Sequence, residues 1–293
     1  MSRKTVGWSV LLVLICWVGL VVPASAQHFQ HVKGTLVSVA AGRNEVFGLD
    51  SKFAVWRFNA TKKSFLKIAG ASLVKVAVGG GSVSQLDDVW GLDINGHVFR
   101  FNYSTNTFTE HGGILTQIVV GVGYQDDCHP YEVWGVNSSN EIFRYDYCKK
   151  QLLEIGGSLT QVATGGGDVW GLNGSGEIFH FNFGSQSFGQ VTGTLVEIAV
   201  GVNDVWGINS ENQVFRYDPN TGGFNLMAGV VGQIEVGGDG VWAINLTNEI
   251  FRFDPSSAEW VQVSGALSSI TVGSGAGVFG VNSSNHVFTF VRQ

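Results

Sequence analysis

Apolar and other residues alternate along the chain in short segments of four to seven positions, and Gly, Asn, Ser or Asp separate one segment from the next. Alternation with a period of two is typical of a β-strand that buries one face, whereas a helix repeats its apolar positions every three to four residues. No segment after residue 26 has the helical period. The chain is therefore predicted to be all-β, with many short strands joined by tight turns.

Four such segments together form a unit that recurs seven times. In each copy a phrase such as VWGLN is followed about eight residues later by a phrase such as VFRF, and a phrase such as GTLVEIAVG comes before both. The basic period is 36 residues, and the second and third copies contain insertions. The copies, called repeats one to seven below, have their VWG-type phrase at Val46, Val89, Val133, Val169, Val205, Val241 and Val278.

Four short antiparallel strands repeated in this way are the sequence pattern of a β-propeller. An isolated four-stranded sheet cannot bury both faces, whereas sheets packed around an axis can, and closing the ring protects the sheet edges. The small residues of the GTLVEIAVG-type segment suit the crowded strand nearest the axis. We therefore predict a propeller of seven four-stranded blades, with a six-bladed ring as the less favoured count.

The two ends of the repeat region predict how the ring closes. His28–Lys33 matches the fourth-strand segment, as seen by comparison with Trp260–Ser264, whereas repeat seven stops after its third-strand phrase, Val287–Phe290. We expect the N-terminal segment to supply the missing outer strand of repeat seven.

The first 26 residues have the features of a signal peptide. Arg3 and Lys4 precede the apolar stretch Val6–Val22, and Ala24–Ala26 is a small-x-small cleavage signal before Gln27. We expect residues 1–26 to be removed and residues 27–293 to form one secreted domain, which would be periplasmic in a bacterial host. The alternative is an uncleaved membrane anchor, for which the apolar stretch is short.

Composition narrows the class of protein. The chain has 41 Gly, four Pro, 12% aromatic and 14% charged residues, which excludes disorder, collagen and a proline-rich linker. The net charge is −6, and the predicted signal peptide holds two of the basic residues. This balance argues against nucleic acid or anionic lipid as a partner, and no later segment is apolar enough to insert into a membrane.

The VWG[LIV]N phrase followed by [IV]FR[FY] resembles the tectonin β-propeller repeat of tectonins, tachylectin-type lectins and fish-egg lectins, over about residues 28 to 291. The resemblance implies a secreted lectin of innate immunity that binds microbial or cell-surface glycans, including lipopolysaccharide and N-acetyl or O-methyl sugars, at several sites near blade boundaries. The familiar lectins of this type have six repeats rather than seven. No binding residue is carried over, because the matching motif is the strand core.

The aromatic residue of the VWG-type phrase lies in the middle of a predicted strand. We expect it to pack between blades, because large aromatic side chains bury area there and because Trp exchanges with Phe in the end repeats. The alternative is stacking on sugar rings. These residues are Phe47, Trp90, Trp134, Trp170, Trp206, Trp242 and Phe279.

A repeated Arg in the third strand lies twelve positions after an acidic residue. Repeat seven has Thr289 and Gly277 at these positions, so acid and base are lost together, whereas repeat six keeps Arg252 after Gly240, with Asp239 adjacent. An Arg inside a strand needs a partner or an aromatic face, so we expect a structural ion pair or a cation–π contact, with a ligand contact as the alternative. The complete pairs are Glu45–Arg57, Asp88–Arg100, Glu132–Arg144, Asp168–His180 and Asp204–Arg216.

Two cysteines remain after residue 26. Cys128 lies four residues before Glu132 and Cys148 four residues after Arg144, so the two face each other across the central hairpin of repeat three. We predict a disulfide, which in an oxidising compartment contributes roughly 3 kcal/mol for a loop of about 20 residues. A zinc site that adds His129 is the weaker alternative.

Insertions in repeats two and three fall between the first and second strands, on one face of adjacent blades. Loops carry function more often than strands do, and the second insertion offers groups for sugar hydrogen bonds, ring stacking or calcium. The alternative is a surface loop held by the disulfide, and a competing function is an extracellular protein-interaction scaffold that uses both insertions. The candidate ligand-binding residues are Tyr124, Asp126, Asp127, His129 and Tyr131.

Six Asn-x-Ser/Thr sequons fall at predicted turns, where Asn and Ser favour local hydrogen bonds in any case. In a eukaryotic host some would carry glycans. No nucleophile-elbow, zinc-protease or phosphate-loop motif occurs, so no catalysis and no cofactor are expected, although propellers can hold enzyme sites in their central channel. The sequon asparagines are Asn59, Asn102, Asn137, Asn173, Asn245 and Asn282.

Overall fold

The computed structural model describes residues 27–82 and 85–291, apart from the side chains of residues 124–126. The predicted signal peptide, residues 1–26, lies outside the described residues. As the alternating pattern predicts, the described part of the chain forms β-strands and no helix. It therefore contains no helix that could span a membrane.

Each repeat contributes four strands, and the fourth strand of repeat seven comes from the N-terminal segment. Before and within repeats one to three lie β1 (His28–Thr35), β2 (Ser38–Ala41), β3 (Val46–Leu49), β4 (Ala54–Asn59), β5 (Ser64–Ser72), β6 (Lys75–Gly79), β7 (Asp88–Leu92), β8 (His97–Asn102), β9 (Thr107–Ile114), β10 (Gln117–Asp126), β11 (His129–Val136), β12 (Ile142–Asp146) and β13 (Gln151–Ile155). In repeats four to seven lie β14 (Gln161–Gly165), β15 (Asp168–Leu172), β16 (Glu177–Asn182), β17 (Ser187–Thr194), β18 (Glu197–Val200), β19 (Val205–Ile208), β20 (Gln213–Asp218), β21 (Gly223–Val230), β22 (Gln233–Gly237), β23 (Gly240–Ile244), β24 (Glu249–Asp254), β25 (Glu259–Ala266), β26 (Ser269–Val272), β27 (Val278–Val281) and β28 (His286–Val291).

The strands of repeats two to six form five four-stranded sheets in simple chain order. Repeats one and seven share one eight-stranded sheet, in the order β2-β3-β4-β5-β1-β28-β27-β26. Backbone pairing between the two halves of this sheet is limited to the parallel pair of Lys33 with Ser64 among the described residues. The first strands of successive repeats contact one another in turn, from β2 through β6, β10, β14, β18 and β22 to β26, and β26 contacts β2 again. The sheets therefore follow one another around a closed ring.

The N-terminal strand closes this ring. As predicted, β1 pairs antiparallel with β28, from His28 with Val291 to Val32 with Val287. Phe29 of β1 lies edge-on to Trp242 of repeat six, with ring centroids 5.8 Å apart. The strand thus joins the two ends of the chain by backbone hydrogen bonds and by packing on the neighbouring sheet.

The repeated aromatic residues form the contacts between sheets, as the sequence predicts. All five repeated Trp side chains are almost completely buried. Each second-strand aromatic lies edge-on to the aromatic that ends the third-strand phrase of the next repeat, with centroids 4.6–5.3 Å apart. The seven pairs are Phe47–Phe101, Trp90–Tyr145, Trp134–Phe181, Trp170–Tyr217, Trp206–Phe253, Trp242–Phe290 and Phe279–Phe58.

An asparagine side chain stabilises the turn between the second and third strands by hydrogen bonds to the backbone. In repeat three the Oδ1 of Asn137 accepts hydrogen bonds from the backbone N–H groups of Ser139 and Glu141, both at 3.0 Å. The turn ends at Asn140, with φ 65°, a conformation that Asn and Gly tolerate best. Asn173, Asn245 and Asn282 begin equivalent turns, whereas Asn59 and Asn102 begin turns after third strands. All six sequon asparagines therefore serve turn formation.

Removal of β1 tests whether the N-terminal strand holds the ring closed. A chain that begins at residue 36 should be less stable than one that begins at Gln27, because it loses the pairing with β28 and the burial of Phe29 and Val32. The loss should be at least about 3 kcal/mol, since burying one large apolar side chain is worth about 1.5–3 kcal/mol. Urea unfolding of the two chains measures the difference. Equal stability would show that ring closure does not depend on β1.

Candidate functional site

The best-defined polar group of repeats one to five is an acid–base pair beside the repeated aromatic residue. In repeat three Glu132 and Arg144 are both buried, with Nε to Oε2 at 2.8 Å and Nη2 to Oε1 at 2.5 Å. The indole Nε1 of Trp134 donates to the same carboxylate at 2.6 Å, and the guanidinium lies 5.5 Å from the centre of that indole. The carboxylate therefore accepts from three donors, and the predicted structural ion pair is confirmed.

The same arrangement recurs in four further repeats with different side chains. A side-chain nitrogen of the Arg, or of His180 in repeat four, lies 2.6–2.8 Å from the carboxylate of the same repeat. Repeat seven has neither partner, as the sequence indicates. The pairs are Arg57–Glu45, Arg100–Asp88, His180–Asp168 and Arg216–Asp204.

Three of these cations are covered by an aromatic ring from the next repeat. The centroids of Tyr103, Tyr147 and Phe183 lie 5.3, 5.0 and 5.3 Å from the guanidinium carbons of Arg57, Arg100 and Arg144. The hydroxyl of Tyr147 also donates to Asp88, and burial raises the pKa of the Tyr103 and Tyr147 hydroxyls. A ligand cannot approach these cations from the side of the covering ring.

The cations of repeats four and five lack such a cover. The sequence positions that hold the covering ring elsewhere are Pro219 and Pro255 in the repeats that follow them. The side chains of His180 and Arg216 are 39% and 42% exposed, compared with 31%, 30% and 5% for Arg57, Arg100 and Arg144. The two uncovered side chains are therefore the most exposed of the five, and Arg144 is the one that is buried.

The open site of repeat four is a cleft of about 380 Å³ lined by Asp168, His180, Asn182, Phe183 and Asn203 among others. The imidazole stacks on the indole of Trp170, with centroids 4.2 Å apart, and its Nε2 lies 2.6 Å from Asp168 Oδ1.

Asp168 itself stays ionised in this cleft. Burial raises its pKa, but hydrogen bonds from His180 and from Trp170 Nε1 outweigh this effect and leave the pKa below its usual value. The cleft therefore presents a fixed carboxylate and an exposed imidazole beside amide groups and one aromatic ring. This combination can bind a ligand with several hydroxyl groups.

The insertion of repeat two is bound to the loop between β2 and β3. The carboxylate of Asp87 is buried and accepts hydrogen bonds from the backbone N–H groups of Arg43, Asn44, Glu45 and Gly81, at 2.6–3.0 Å. Asn44 Nδ2 also donates to the carbonyls of Ser82 and Gln85, both at 3.2 Å, so two side chains fix the insertion to this loop.

The insertion of repeat three corrects the expectation of a surface loop. It lengthens β10 and β11, which pair from Gln117 with Val136 out to Asp126 with His129. The insertion is therefore a hairpin, because its residues continue the backbone hydrogen bonds of the sheet. In the structure the sulfurs of Cys128 and Cys148 are bonded, with Cα atoms 5.0 Å apart, which ties the hairpin tip to the turn after β12.

The candidate ligand residues of this hairpin lie apart. Asp127 is exposed at the tip, and His129 is partly buried at the start of β11. Tyr131 lies four strand residues, about 13 Å, from the tip, and its hydroxyl donates to the carbonyl of Leu86 at 2.9 Å. Tyr131 therefore joins the two insertions. The side chains of Tyr124 and Asp126 lie outside the described residues.

The centre of the ring is a channel of about 740 Å³ between the first strands. The small residues of these strands face the channel, as the sequence predicts. Gly165 illustrates the crowding: a Cβ there would lie 2.1 Å from the carbonyl oxygen of Val200.

Long polar side chains at the start of the first strands bind the next strand along the ring. The amide of Gln117 accepts from the N–H of Val162 at 2.8 Å and donates to its carbonyl at 3.1 Å. Gln233 makes the same two bonds to Ile270, at 3.1 and 3.0 Å. These amides connect neighbouring sheets where no backbone ladder does.

Glu197 replaces the amide with a carboxyl group. Its Oε1 accepts from the N–H of Ile234 at 2.9 Å. Glu197 and Glu235 are the only ionisable side chains among the described residues that line the channel. Burial raises the pKa of Glu197 to about 7, and burial together with the charge of Glu197 raises the pKa of Glu235 to about 8. The sequence analysis missed both residues, although each lies in a first-strand segment whose alternate side chains face the axis.

Rings of four-stranded antiparallel sheets around a central channel define the β-propeller class. The repeat model described as the tectonin domain matches residues 20–194 and 194–293. The chain belongs to the tectonin domain family. No curated protein sequence matches the chain.

Solved structures share the fold at low sequence identity. The structure of human WBSCR16 matches with a TM-score of 0.67 and 12% identity over 90% of this chain and 88% of that one. Prp20p from Saccharomyces cerevisiae matches with a TM-score of 0.66 and 10% identity over 88% and 83% of the two chains. YCF48 bound to D1 peptide matches with a TM-score of 0.65 and 9% identity over 91% and 96%. At such identities the likeness concerns the fold alone.

Replacing one buried Trp by Phe tests the role of the indole N–H. Trp134→Phe leaves the fully buried Glu132 with one donor fewer, whereas the Nε1 of Trp206 has no hydrogen-bond partner among the described residues. Trp206→Phe is the matched control, because it loses a similar volume. Trp134→Phe should therefore be less stable than Trp206→Phe by about 1–3 kcal/mol. Urea unfolding measures the difference. Equal losses would show that the indole N–H contributes nothing to the ion pair.

The carboxyl groups of the channel predict a pH dependence of stability. Because the pKa of Glu197 is raised to about 7 in the folded state from 4.5, the folded protein binds this proton more tightly than the unfolded chain. The stabilisation from Glu197 is complete below pH 4.5 and is lost as the pH rises from there through about 7. The melting temperature should fall over that range, and Glu197→Gln should reduce the fall.

The matched variant Gln117→Glu should introduce a similar fall, because it places a carboxyl group in the equivalent contact with Val162. Thermal unfolding between pH 5 and pH 9 compares the three chains. A pH dependence that is the same in Glu197→Gln as in the parent protein would contradict this assignment.

Proposed function

We propose that this protein is a secreted lectin without catalytic activity, which binds cell-surface or microbial glycans at several sites on one rigid ring. The observation that carries the proposal is the cleft of repeat four, where Asp168, His180 and Asn203 surround open space beside an aromatic ring. Sugar recognition relies on such polar groups next to flat apolar surface. Family membership supports the same conclusion. The expected ligands are lipopolysaccharide or N-acetyl and O-methyl sugars.

We count seven blades in this ring. The seven aromatic contacts lead from each repeat to the next and return from Phe279 to Phe58 of repeat one. The eight-stranded sheet then comprises two blades that touch through the short contact of Lys33 with Ser64. Seven similar boundaries between blades offer several related positions for glycan sites.

Several sites compensate for the weakness of each one. A single shallow sugar site binds in about the millimolar range. Simultaneous binding of several sites to a repetitive glycan raises the avidity by about 10²–10⁴-fold. We place the protein outside the cell, or in the periplasm of a bacterial host. Nucleic acid and membrane insertion do not fit its acidic charge and short strands.

The second candidate function is an extracellular protein-interaction scaffold. The two insertions favour it, because Asp87 and Tyr131 fix them to each other and to the neighbouring sheet, which makes one defined surface on repeats one to three. Solved structures of the same fold are described with bound partners: Prp20p for its binding to Gsp1p and histones, and YCF48 with D1 peptide. A scaffold would bind one protein and would not respond to sugars.

A glycan array with residues 27–293, with calcium and with a chelator, tests the lectin proposal. We expect binding to one coherent class of sugars, competition by the free monosaccharide, and at least about tenfold weaker binding for His180→Ala, since losing one hydrogen-bonding partner costs about 1.4 kcal/mol or more. His97→Ala is the matched control, because His97 also pairs with an Asp and is 40% exposed, as His180 is 39% exposed.

A blank array with folded protein would contradict the lectin proposal for the glycans present. Binding that is lost equally in His97→Ala and His180→Ala would contradict the assignment of the cleft. The chelator arm shows whether calcium takes part.

A further inference from the structure

Repeat six departs from the ion-pair pattern in one position only. It keeps Arg252, which pairs with Trp242 across β23 and β24 as Arg216 pairs with Trp206 in repeat five. The guanidinium lies 5.9 Å from the centre of the Trp242 ring, close to the 5.3 Å of repeat five. However, Gly240 occupies the position at which repeats one to five have Asp or Glu. The cation is in place and the acid of its own strand is missing.

The hydrogen-bonding atoms of Arg252 reflect this loss. Its Nε is buried and has no hydrogen-bond partner among the described residues. In four other repeats the Nε of the equivalent Arg donates to the acid at 2.7–2.8 Å. A buried N–H without an acceptor costs about 1–3 kcal/mol. An acceptor supplied from outside would remove that cost.

Space also remains around Gly240. Apart from its two chain neighbours, Asp239 and Val241, a Cβ on Gly240 would meet only one atom within 4 Å, the Nε of Arg252 at 4.0 Å. The indole Nε1 of Trp242 donates instead to the backbone carbonyl of Asp239 at 3.2 Å. This bond is longer than the 2.6–2.8 Å bonds that the Trp residues of repeats two to four make to their acids.

We propose that repeat six binds the carboxylate of an acidic sugar in the place of the missing side chain. The ion pairs of the other repeats are the template: Glu132 and Asp204 each meet their Arg side-on through Nε and Nη2. A ligand carboxylate accepts hydrogen bonds from the same two atoms of Arg252, Nε and Nη2. The indole N–H of Trp242 is the third donor, as that of Trp134 is for Glu132.

The donors favour a carboxylate over a bulkier anion. Side-on pairing of a guanidinium with two coplanar oxygens is the geometry of a carboxylate, and repeats two, four and five hold an Asp side chain at the position of Gly240. Asp254 is a neighbouring acid whose pKa the charge of Arg252 helps to lower, but its Oδ1 accepts from the backbone N–H and the hydroxyl of Ser256 at 2.9 and 2.7 Å rather than from Arg252. The inference rests on the proposed glycan binding and names a ligand class for one site.

Titration of the folded protein with sodium glucuronate, followed by the ¹H–¹⁵N signals of the Arg Nε–H groups, tests this site. Glucose is the neutral control, and sodium acetate is the carboxylate without a sugar ring. We expect the Arg252 signal to shift saturably with glucuronate, to shift with acetate at about tenfold higher concentration, and not to shift with glucose. Arg252→Gln should weaken glucuronate binding at least tenfold.

Arg216→Gln is the matched control, because it removes a guanidinium that already has an acid, and it should leave glucuronate binding unchanged. The proposal is overturned if the Arg252 signal does not respond, if Arg252→Gln binds glucuronate as the parent does, or if acetate binds as tightly as glucuronate. Binding of a neutral glycan by Arg252→Gln tests the lectin proposal separately from the Arg252 site. If this variant still binds the neutral glycan, the lectin proposal stands whatever the glucuronate result shows about Arg252.

Discussion

The edge-on contact between the second-strand aromatic of one repeat and the third-strand aromatic of the next is the interaction on which the rest of this structure depends. A four-stranded sheet of this size has two faces and cannot bury either by itself. The aromatic pair buries a large area at each junction and fixes the position of the neighbouring sheet. The ion pair lies directly beside the same Trp, so its position follows from that packing. The clefts, the channel and the covering rings all follow from this spacing.

Sequence reasoning is successful where one position repeats. The VWG-type phrase predicts strands, sheets and the burial of Trp90 or Trp242 because seven copies must satisfy the same local geometry. The twelve-residue interval between Glu132 and Arg144 predicts their pairing because two antiparallel strands place these positions opposite each other. The role of β1 is predictable from the missing outer strand of repeat seven. In each case the information lies within one repeat or its immediate continuation.

The features that the sequence does not reveal depend on contacts between repeats. Tyr103 and Tyr147 cover the cations of the preceding repeat, and nothing within one repeat indicates this contact. The raised pKa of Glu197 arises from its place in the channel, which depends on the ring as a whole. The hairpin of repeat three was expected as a loop because its Gly, Asp and Pro residues are turn formers, but pairing with the sheet outweighs local preference. Differences among repeats, rather than their likeness, therefore decide where the molecule is open.

The pairing of β1 with β28 also determines when the ring can form during synthesis. The strand β1 leaves the ribosome long before its partner β28 is made, so this edge of β1 stays unpaired until the seventh repeat has been synthesised. Contacts between residues so far apart in sequence form slowly, and unpaired strand edges invite association with other chains. Intermediate sheets can assemble earlier, each from its own consecutive strands. Completion of the ring therefore follows the synthesis of all seven repeats, and nascent chains of this protein depend on protection of the His28–Thr35 edge until that step occurs.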